Sequence, residues 1–166
     1  PTYIYDCYDV TSSFSVLVTM VLPLINLTGA YAARYAGRKH PEEEIRTSIW
    51  FFGIATAALL CLLLFGKWHV LLAVVLFAII TASMMAVNTL YVNMIPLHFE
   101  AQGRVAAVSG LLNATAYLGS AISTFTIGIL VEKAGWPVTM AGWVGITAVA
   151  LAVCVIMRKK TFLMKA

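Results

Sequence analysis

Five stretches of the chain contain no charged residue, and each is at least 20 residues long. A helix rises about 1.5 Å per residue and the hydrocarbon core of a bilayer is about 30 Å thick, so each stretch is long enough to cross a membrane once. Apolar runs such as LLCLLLF at 59–65 lack the alternating polarity of strands in a membrane barrel. The pattern predicts an all-α, polytopic membrane bundle of five transmembrane helices, over about 12–33, 47–66, 69–96, 105–131 and 138–157.

Composition and charge exclude a water-soluble globule and indicate an orientation. Hydrophobic residues make up 61% of the chain and charged residues 11%, whereas soluble domains are roughly 45–50% apolar and 25% charged. Of the eleven Lys and Arg residues, nine lie on one side of the predicted bundle and two on the other. Because cytoplasmic loops carry the excess of basic residues, we expect the N-terminus outside, the C-terminus in the cytoplasm and 34–46 as a cytoplasmic loop. The basic charge then reflects topology, and no nucleic-acid partner is expected.

The N-terminus predicts a piece of a longer protein. Pro1 is not an initiator methionine, and residues 1–9 have neither the basic region nor the apolar region of a signal peptide. A chain that begins outside the cell without a signal is expected to follow an earlier membrane helix.

Three of the predicted helices carry polar side chains along one face. Asn26 lies in such a stripe on the first helix, Asn88 on the third, and Asn113, Tyr117 and Ser120 on the fourth. Lipid cannot satisfy these groups, so we expect the stripes to face protein or a water-filled cavity, with these five residues along a substrate pathway. Hydrogen bonding between packed helices is the alternative interpretation. The second and fifth helices have few polar residues and are expected to face lipid.

Residue patterns typical of enzymes are absent from the sequence. The three histidines lie in predicted loops or at helix ends without the spacing of a zinc site, and the three cysteines are widely separated. No acidic or basic residue lies deep in a predicted span, so a proton relay within this segment is not expected. We therefore predict no catalytic activity, no metal site and no cofactor.

Two sequence segments carry a family resemblance. The loop GAYAARYAGRK after the first span and the run GRVAAVSGLLNATAYLGSAISTFTIGILVEKAGW at 103–136 resemble the C-terminal half of a major facilitator superfamily transporter that lacks most of its seventh helix. Within that superfamily, PTYIYDCY at the start and the Gly135-Trp136 turn resemble the organophosphate:phosphate antiporter family. Residues 1–166 would then be a partial six-helix bundle. The superfamily's signature loop is matched at Gly29, Arg34, Gly37, Arg38 and Lys39, with Ala33 where an acidic residue usually stands.

The resemblance implies a function. It implies exchange of a small organic anion, such as glycerol phosphate or a sugar phosphate, by alternating access in a bacterial inner membrane. The missing N-terminal six-helix half of the same protein would be the partner of this bundle. In that family the basic residues that bind phosphate lie on helices that this chain does not contain, so none is assigned here. A transporter of another substrate class, such as a hexuronate or a drug, and a non-transporting membrane sensor with the same fold are the alternatives.

Overall fold

The computed structural model describes residues 1–39 and 43–165, with the backbone alone for Lys39 and 159–165. Within these ranges the chain is almost entirely helical and contains no strand. A short helix α1 (Thr2–Tyr8) precedes the long helices α2 (Ser12–Lys39) and α3 (Glu44–Phe65). A 3-10 turn, Gly66–Trp68, leads into α4 (Val70–Asn88), which continues as a π-helical turn, Thr89–Met94, and a 3-10 segment, Ile95–Gln102. Helix α5 spans Val105–Lys165.

Among the described residues, four helices are long and apolar enough to cross a membrane: Ser12–Arg38, Glu44–Trp68, Val70–Gln102 and Val105–Arg158. The chain is therefore an integral membrane protein. The first three correspond to the first three predicted spans, and each continues beyond the predicted C-terminal limit. The fourth and fifth predicted spans both lie within α5.

Helix α5 is interrupted at Gly135, whose backbone (φ 77°, ψ 175°) is not helical. Glycine adopts a positive φ without the steric cost that a side chain brings. On one side of the interruption, Ser109 Oγ donates to the Val92 carbonyl at 3.2 Å, and on the other, Cys154 Sγ lies 3.6 Å from the Tyr91 hydroxyl. A straight helix would separate Ser109 from Cys154 by about 68 Å. The two parts, called α5a (105–134) and α5b (136–165), therefore fold back on one another.

The predicted loop 34–46 is shorter in the structure because α2 continues through Gly37 to Lys39. A single glycine inside a helix costs only about 1 kcal/mol. Gly37 also faces the Met94 side chain, which packs beside the buried residues Ala33 and Leu90. Residues 40–42 of the predicted loop lie outside the described residues.

Helix α3 packs against α4 and α5, and α2 packs against α4. The buried core includes Leu59 and Leu62 of α3, Leu76 of α4 and Met140 of α5b. The second predicted span, which was expected to face lipid, thus contributes one face to the core, while side chains such as Trp50 remain exposed on it. Burial in α5 is confined to α5b, where Thr139, Met140, Thr147 and Cys154 form one inward face.

A side-chain contact between two elements lies at the end of the bundle opposite α1. His98 Nε2 lies 2.7 Å from Glu44 Oε1, which links the segment after α4 to the first turn of α3. The His98 side chain is 44% exposed, so solvent screens much of the attraction.

We expect this contact to contribute little to stability. A double-mutant cycle with His98→Gln and Glu44→Gln should give a coupling free energy of about 0.2–1 kcal/mol, as for other exposed ion pairs. Thermal unfolding of the parent protein, the two single variants and the double variant in one detergent measures this coupling free energy. Glu44→Gln alone should cost more than His98→Gln alone, because the Glu44 carboxylate also lies near the positive end of the α3 dipole. The reverse order would contradict this assignment.

Candidate functional site

A cavity of about 610 Å³ lies under α1, between α2, α4 and α5b. Its size is within the range of about 300–1,000 Å³ that is usual for small-molecule sites. Helix α1 covers it from one end of the bundle. The lining consists of Pro1, Thr2, Tyr3, Ile4, Val16, Thr19, Met20, Leu22, Pro23, Asn26, Phe77, Trp136 and Trp143.

Asn26 supplies an unpaired polar atom to this cavity. The residue lies near the middle of the Ser12–Arg38 span, and its Oδ1 is buried without a hydrogen-bond partner. A buried amide oxygen without a donor costs about 1–3 kcal/mol in proteins, and more in a hydrocarbon environment. Asn26, which lines the cavity, therefore leaves one buried polar atom without a hydrogen bond.

A second acceptor follows from Pro23, one turn before Asn26. Proline has no backbone N–H and cannot donate the helical hydrogen bond to the residue four positions earlier. The carbonyl of Thr19 therefore lacks its usual donor. The Thr19 hydroxyl does not supply this donor, because it donates to the Ser15 and Val16 carbonyls of its own helix, at 2.8 and 3.0 Å.

Aromatic rings form the opposite wall and the roof. The Tyr3 ring meets the rings of Phe77 and Trp136 edge to face, with centroids 5.3 and 5.2 Å apart, and the Tyr8 ring at 6.1 Å. Such pairs contribute about 0.5–1.5 kcal/mol each beyond the area they bury. Trp143 completes the aromatic lining.

Polar contacts attach α1 to three other elements. The Trp136 Nε1 proton is donated to Asp6 Oδ2 at 2.9 Å, which joins α1 to α5b. The Tyr8 hydroxyl donates to the Gly66 carbonyl in the 3-10 turn after α3, and the Ser15 hydroxyl of α2 donates to the Pro1 carbonyl. Through these contacts α1 acts as a roof over the cavity.

The roof carries no phenolate or thiolate at neutral pH. Burial raises the pKa of the Tyr3 and Tyr8 hydroxyls above the ordinary tyrosine value, and burial likewise raises the pKa of the Cys7 thiol. Among the described residues that line the cavity there is no Asp, Glu, Lys, Arg or His side chain. The side chains that line the cavity are thus uncharged, while the Asp6 carboxylate lies beside them on α1.

Of the five predicted pathway residues, the structure places only Asn26 in this cavity. Asn88 is exposed at the end of α4. Asn113, Tyr117 and Ser120 are exposed on α5a, where Tyr117 is 70% accessible. The α5a stripe does form one polar surface, but no described part of the chain covers it.

The residues of the predicted signature loop lie on the last turns of α2. Gly29 is buried against Ala82 of α4, while Arg34 and Arg38 are exposed. The Lys39 side chain lies outside the described residues. Ala33, at the position of the expected acid, is fully buried. A carboxylate there would be costly to bury without a partner.

Comparison with known proteins gives no match. No family model, no curated protein and no solved structure is similar to the chain. The resemblance to the major facilitator superfamily therefore stays a prediction, and the cavity and the polar surface of α5a are the observations on which a function can be argued.

Sequence reasoning did not identify the aromatic part of the site. Tyr3 and Trp136 are 133 residues apart, and both are typical of a membrane interface. Nothing in the local pattern indicates that their rings meet over a cavity. The signal that does point to the site is Pro23 beside Thr19 and Asn26, because a proline inside a polar stripe marks backbone acceptors without donors.

Proposed function

We propose that this chain is one helical bundle of a secondary transporter of the major facilitator type. In this proposal it crosses a bacterial inner membrane five times, with α5a and α5b as separate crossings, its N-terminus outside and its C-terminus in the cytoplasm. The fold-back of α5 at Gly135 supports the count of five. The concentration of nine of the eleven Lys and Arg residues on one side supports the orientation.

The observation that carries the proposal is the unpaired oxygen of Asn26, a residue that lines the cavity and lies near the middle of the Ser12–Arg38 helix. Polar groups inside membrane spans are expensive to bury unless they serve packing or function. Asn26 Oδ1 has no hydrogen-bond partner among the described residues, so a functional role fits this side chain better than a structural one. Binding near the midplane of a helical bundle is the arrangement that secondary transporters use.

The exposed stripe on α5a supplies a second part of the proposed pathway. Asn113, Tyr117 and Ser120 would face a six-helix bundle from the remainder of the same protein, and the substrate would move between the two bundles as they rock. The proposed substrate is an organic anion such as a sugar phosphate, taken in exchange for phosphate. Since the cavity has no basic side chain, the other bundle or adjoining helices would neutralise the anionic group.

Exchange in proteoliposomes tests the proposal. The whole protein is reconstituted, and uptake of labelled glycerol phosphate or glucose 6-phosphate is measured with and without internal phosphate. We expect uptake only into vesicles loaded with phosphate. Uptake that does not depend on internal phosphate would contradict exchange, and saturable binding without any uptake would indicate a sensor instead.

A substitution on the polar surface of α5a gives a second test of the proposed transport pathway. Asn113→Leu should reduce transport about threefold to tenfold, which corresponds to the loss of one or two hydrogen bonds to the substrate. Thr56→Leu serves as the control, because the Thr56 hydroxyl is already bonded to the Phe52 carbonyl of its own helix at 2.7 Å. Initial uptake rates, normalised to the amount of protein in the vesicles, measure the difference. Equal losses in both variants would count against the pathway on α5a.

A further inference from the structure

We infer that one face of α2 binds the headgroup of an anionic phospholipid. The guanidinium groups of Arg34 and Arg38 contact the phosphodiester, and the rings of Tyr31 and Tyr35 lie beside the first carbons of the acyl chains. These four residues are called the Tyr-Arg face. The inference concerns the outer surface of the bundle and does not depend on the proposed transport.

The Tyr-Arg face points away from the bundle. Its residues are spaced i, i+3, i+4 and i+7, which places their side chains within about 100° around α2. Gly29, Ala33 and Gly37 lie on the opposite side of the helix, where they pack against α4 and the segment that follows it. Tyr31 and Tyr35 are each 70% exposed, and both arginines are exposed as well. No described part of the chain therefore covers this face.

The depth of the Tyr-Arg face matches the border between hydrocarbon and headgroups. The span begins at Ser12. At about 1.5 Å per residue, Tyr31 lies about 28 Å along the helix, and Arg34 and Arg38 lie about 33 and 39 Å along it. The hydrocarbon core is about 30 Å thick, which places the Tyr31 ring at its edge and both guanidinium groups at the level of the phosphates. Tyrosine is enriched at this level of membrane proteins.

The positive charge of the Tyr-Arg face is not neutralised within the described part of the chain. Arg34 and Arg38 form no ion pair there, whereas Glu43 is paired with Arg46 at 3.0 Å and Glu44 contacts a histidine of the segment after α4. The two guanidinium groups lie one helical turn apart and can attract a single anion. Arginine binds phosphate through two parallel hydrogen bonds, a geometry that lysine cannot provide.

A phospholipid supplies both chemistries that this face offers to a ligand. Its phosphodiester matches the two arginines, and its acyl chains match the tyrosine rings one turn deeper in the membrane. A zwitterionic lipid carries an ammonium group beside its phosphate, and the arginines repel that group. The attraction that each basic residue near the surface adds predicts, for two arginines, a preference of about tenfold or more for an anionic lipid.

Thermal unfolding of the full chain in dodecyl maltoside tests this inference, because a lipid that binds only the folded protein raises the unfolding temperature with its concentration. Phosphatidylglycerol and phosphatidylcholine with the same acyl chains are titrated, as is dimethyl phosphate, the phosphodiester without acyl chains. We expect saturable stabilisation by phosphatidylglycerol, half-saturated at a concentration about tenfold or more below that of phosphatidylcholine, and none by dimethyl phosphate. In about 1 M NaCl, where the Debye length is about 3 Å, the preference should fall to about twofold or less.

Two double variants show whether the preference belongs to this face. Arg34→Gln with Arg38→Gln should bring the half-saturating concentrations of the two lipids within about twofold of each other. Arg104→Gln with Lys133→Gln is the matched control, because it removes the same two charges from exposed positions outside α2 and should keep the tenfold preference. All four replaced side chains are exposed, so both variants should fold, and their unfolding curves without lipid show whether they do.

Four outcomes would overturn the inference: equal half-saturating concentrations for the two lipids, stabilisation by dimethyl phosphate at the concentrations at which phosphatidylglycerol acts, a preference that survives the loss of both arginines, or an equal loss of preference in the control variant. The last outcome would indicate a general attraction between a basic protein and anionic lipid. Absence of any stabilisation by phosphatidylglycerol would overturn it too, since another part of the protein would then cover the Tyr-Arg face.

Discussion

Gly29→Ala is expected to lower the free energy of unfolding by about 1–3 kcal/mol, the usual cost of forcing extra volume into a packed interface. A Cβ atom at Gly29 would overlap the backbone carbonyl of Ala82, so α2 and α4 could accommodate it only by moving apart. No side-chain rotation relieves the overlap, because the atoms that meet it belong to the backbone. Separation of these helices would also loosen the buried contacts of Ala33 with Ala86 and Leu90.

Gly53→Ala provides a matched control for this effect. Gly53 lies inside α3, and a Cβ atom there would meet no other atom within 4 Å. Alanine is favoured over glycine in a helix by about 1 kcal/mol, so this variant should be neutral or slightly stabilised. Thermal unfolding in a single detergent, followed by circular dichroism, compares the two. If both variants unfold like the parent protein, α2 and α4 do not approach each other as the structure shows.

Tyr3→Ala is expected to detach α1 from the bundle. The Tyr3 side chain is 6% exposed, and its ring contacts those of Tyr8, Phe77 and Trp136. Removal of a buried aromatic ring typically costs about 3–5 kcal/mol. Helix α1 has only seven residues, too few to be stable in water without tertiary contacts. Local release of the roof is therefore the expected result, with the other helices still folded.

Hydrogen exchange of the α1 amides measures this release. The first helical hydrogen bond of α1 runs from the Tyr5 N–H to the Pro1 carbonyl. In Tyr3→Ala the amides of 5–8 should therefore exchange faster by about a hundredfold or more, which corresponds to the loss of about 3 kcal/mol. Tyr5→Ala is the control on the same helix, because the Tyr5 side chain is 54% exposed and makes none of the ring contacts described for Tyr3. Equal protection in the two variants would show that the aromatic cluster does not hold α1 in place.

The break in α5 shows how far local sequence reasoning reaches. A short turn around Gly135 and Trp136 follows from the charged residues and the glycine that separate two apolar runs. The structure makes this turn with one non-helical residue and continues the helix on both sides. The direction that α5b takes afterwards is decided by contacts such as Cys154 with Tyr91, between residues 63 positions apart.

The polar stripes on α2 and α5a show the same limit of local sequence reasoning. The angular spacing of 100° per residue establishes that Asn113 and Tyr117 share one face of α5a, and that Thr19 and Asn26 share one face of α2. It does not establish what covers either face. In the structure the α2 face borders a cavity roofed by α1, while the α5a face is exposed in the described part of the chain.

The sequence by itself determined the helical class, the membrane location and the approximate positions of the spans, because these depend on the length and composition of continuous apolar runs. Only the tertiary structure decided which helices are neighbours, that Gly29 touches Ala82, and that Tyr3 and Trp136 close a cavity over the unpaired Asn26. Such contacts join residues that are far apart in the chain. They depend on side-chain shape and on the sum of many small packing energies, neither of which a pattern along one helix contains.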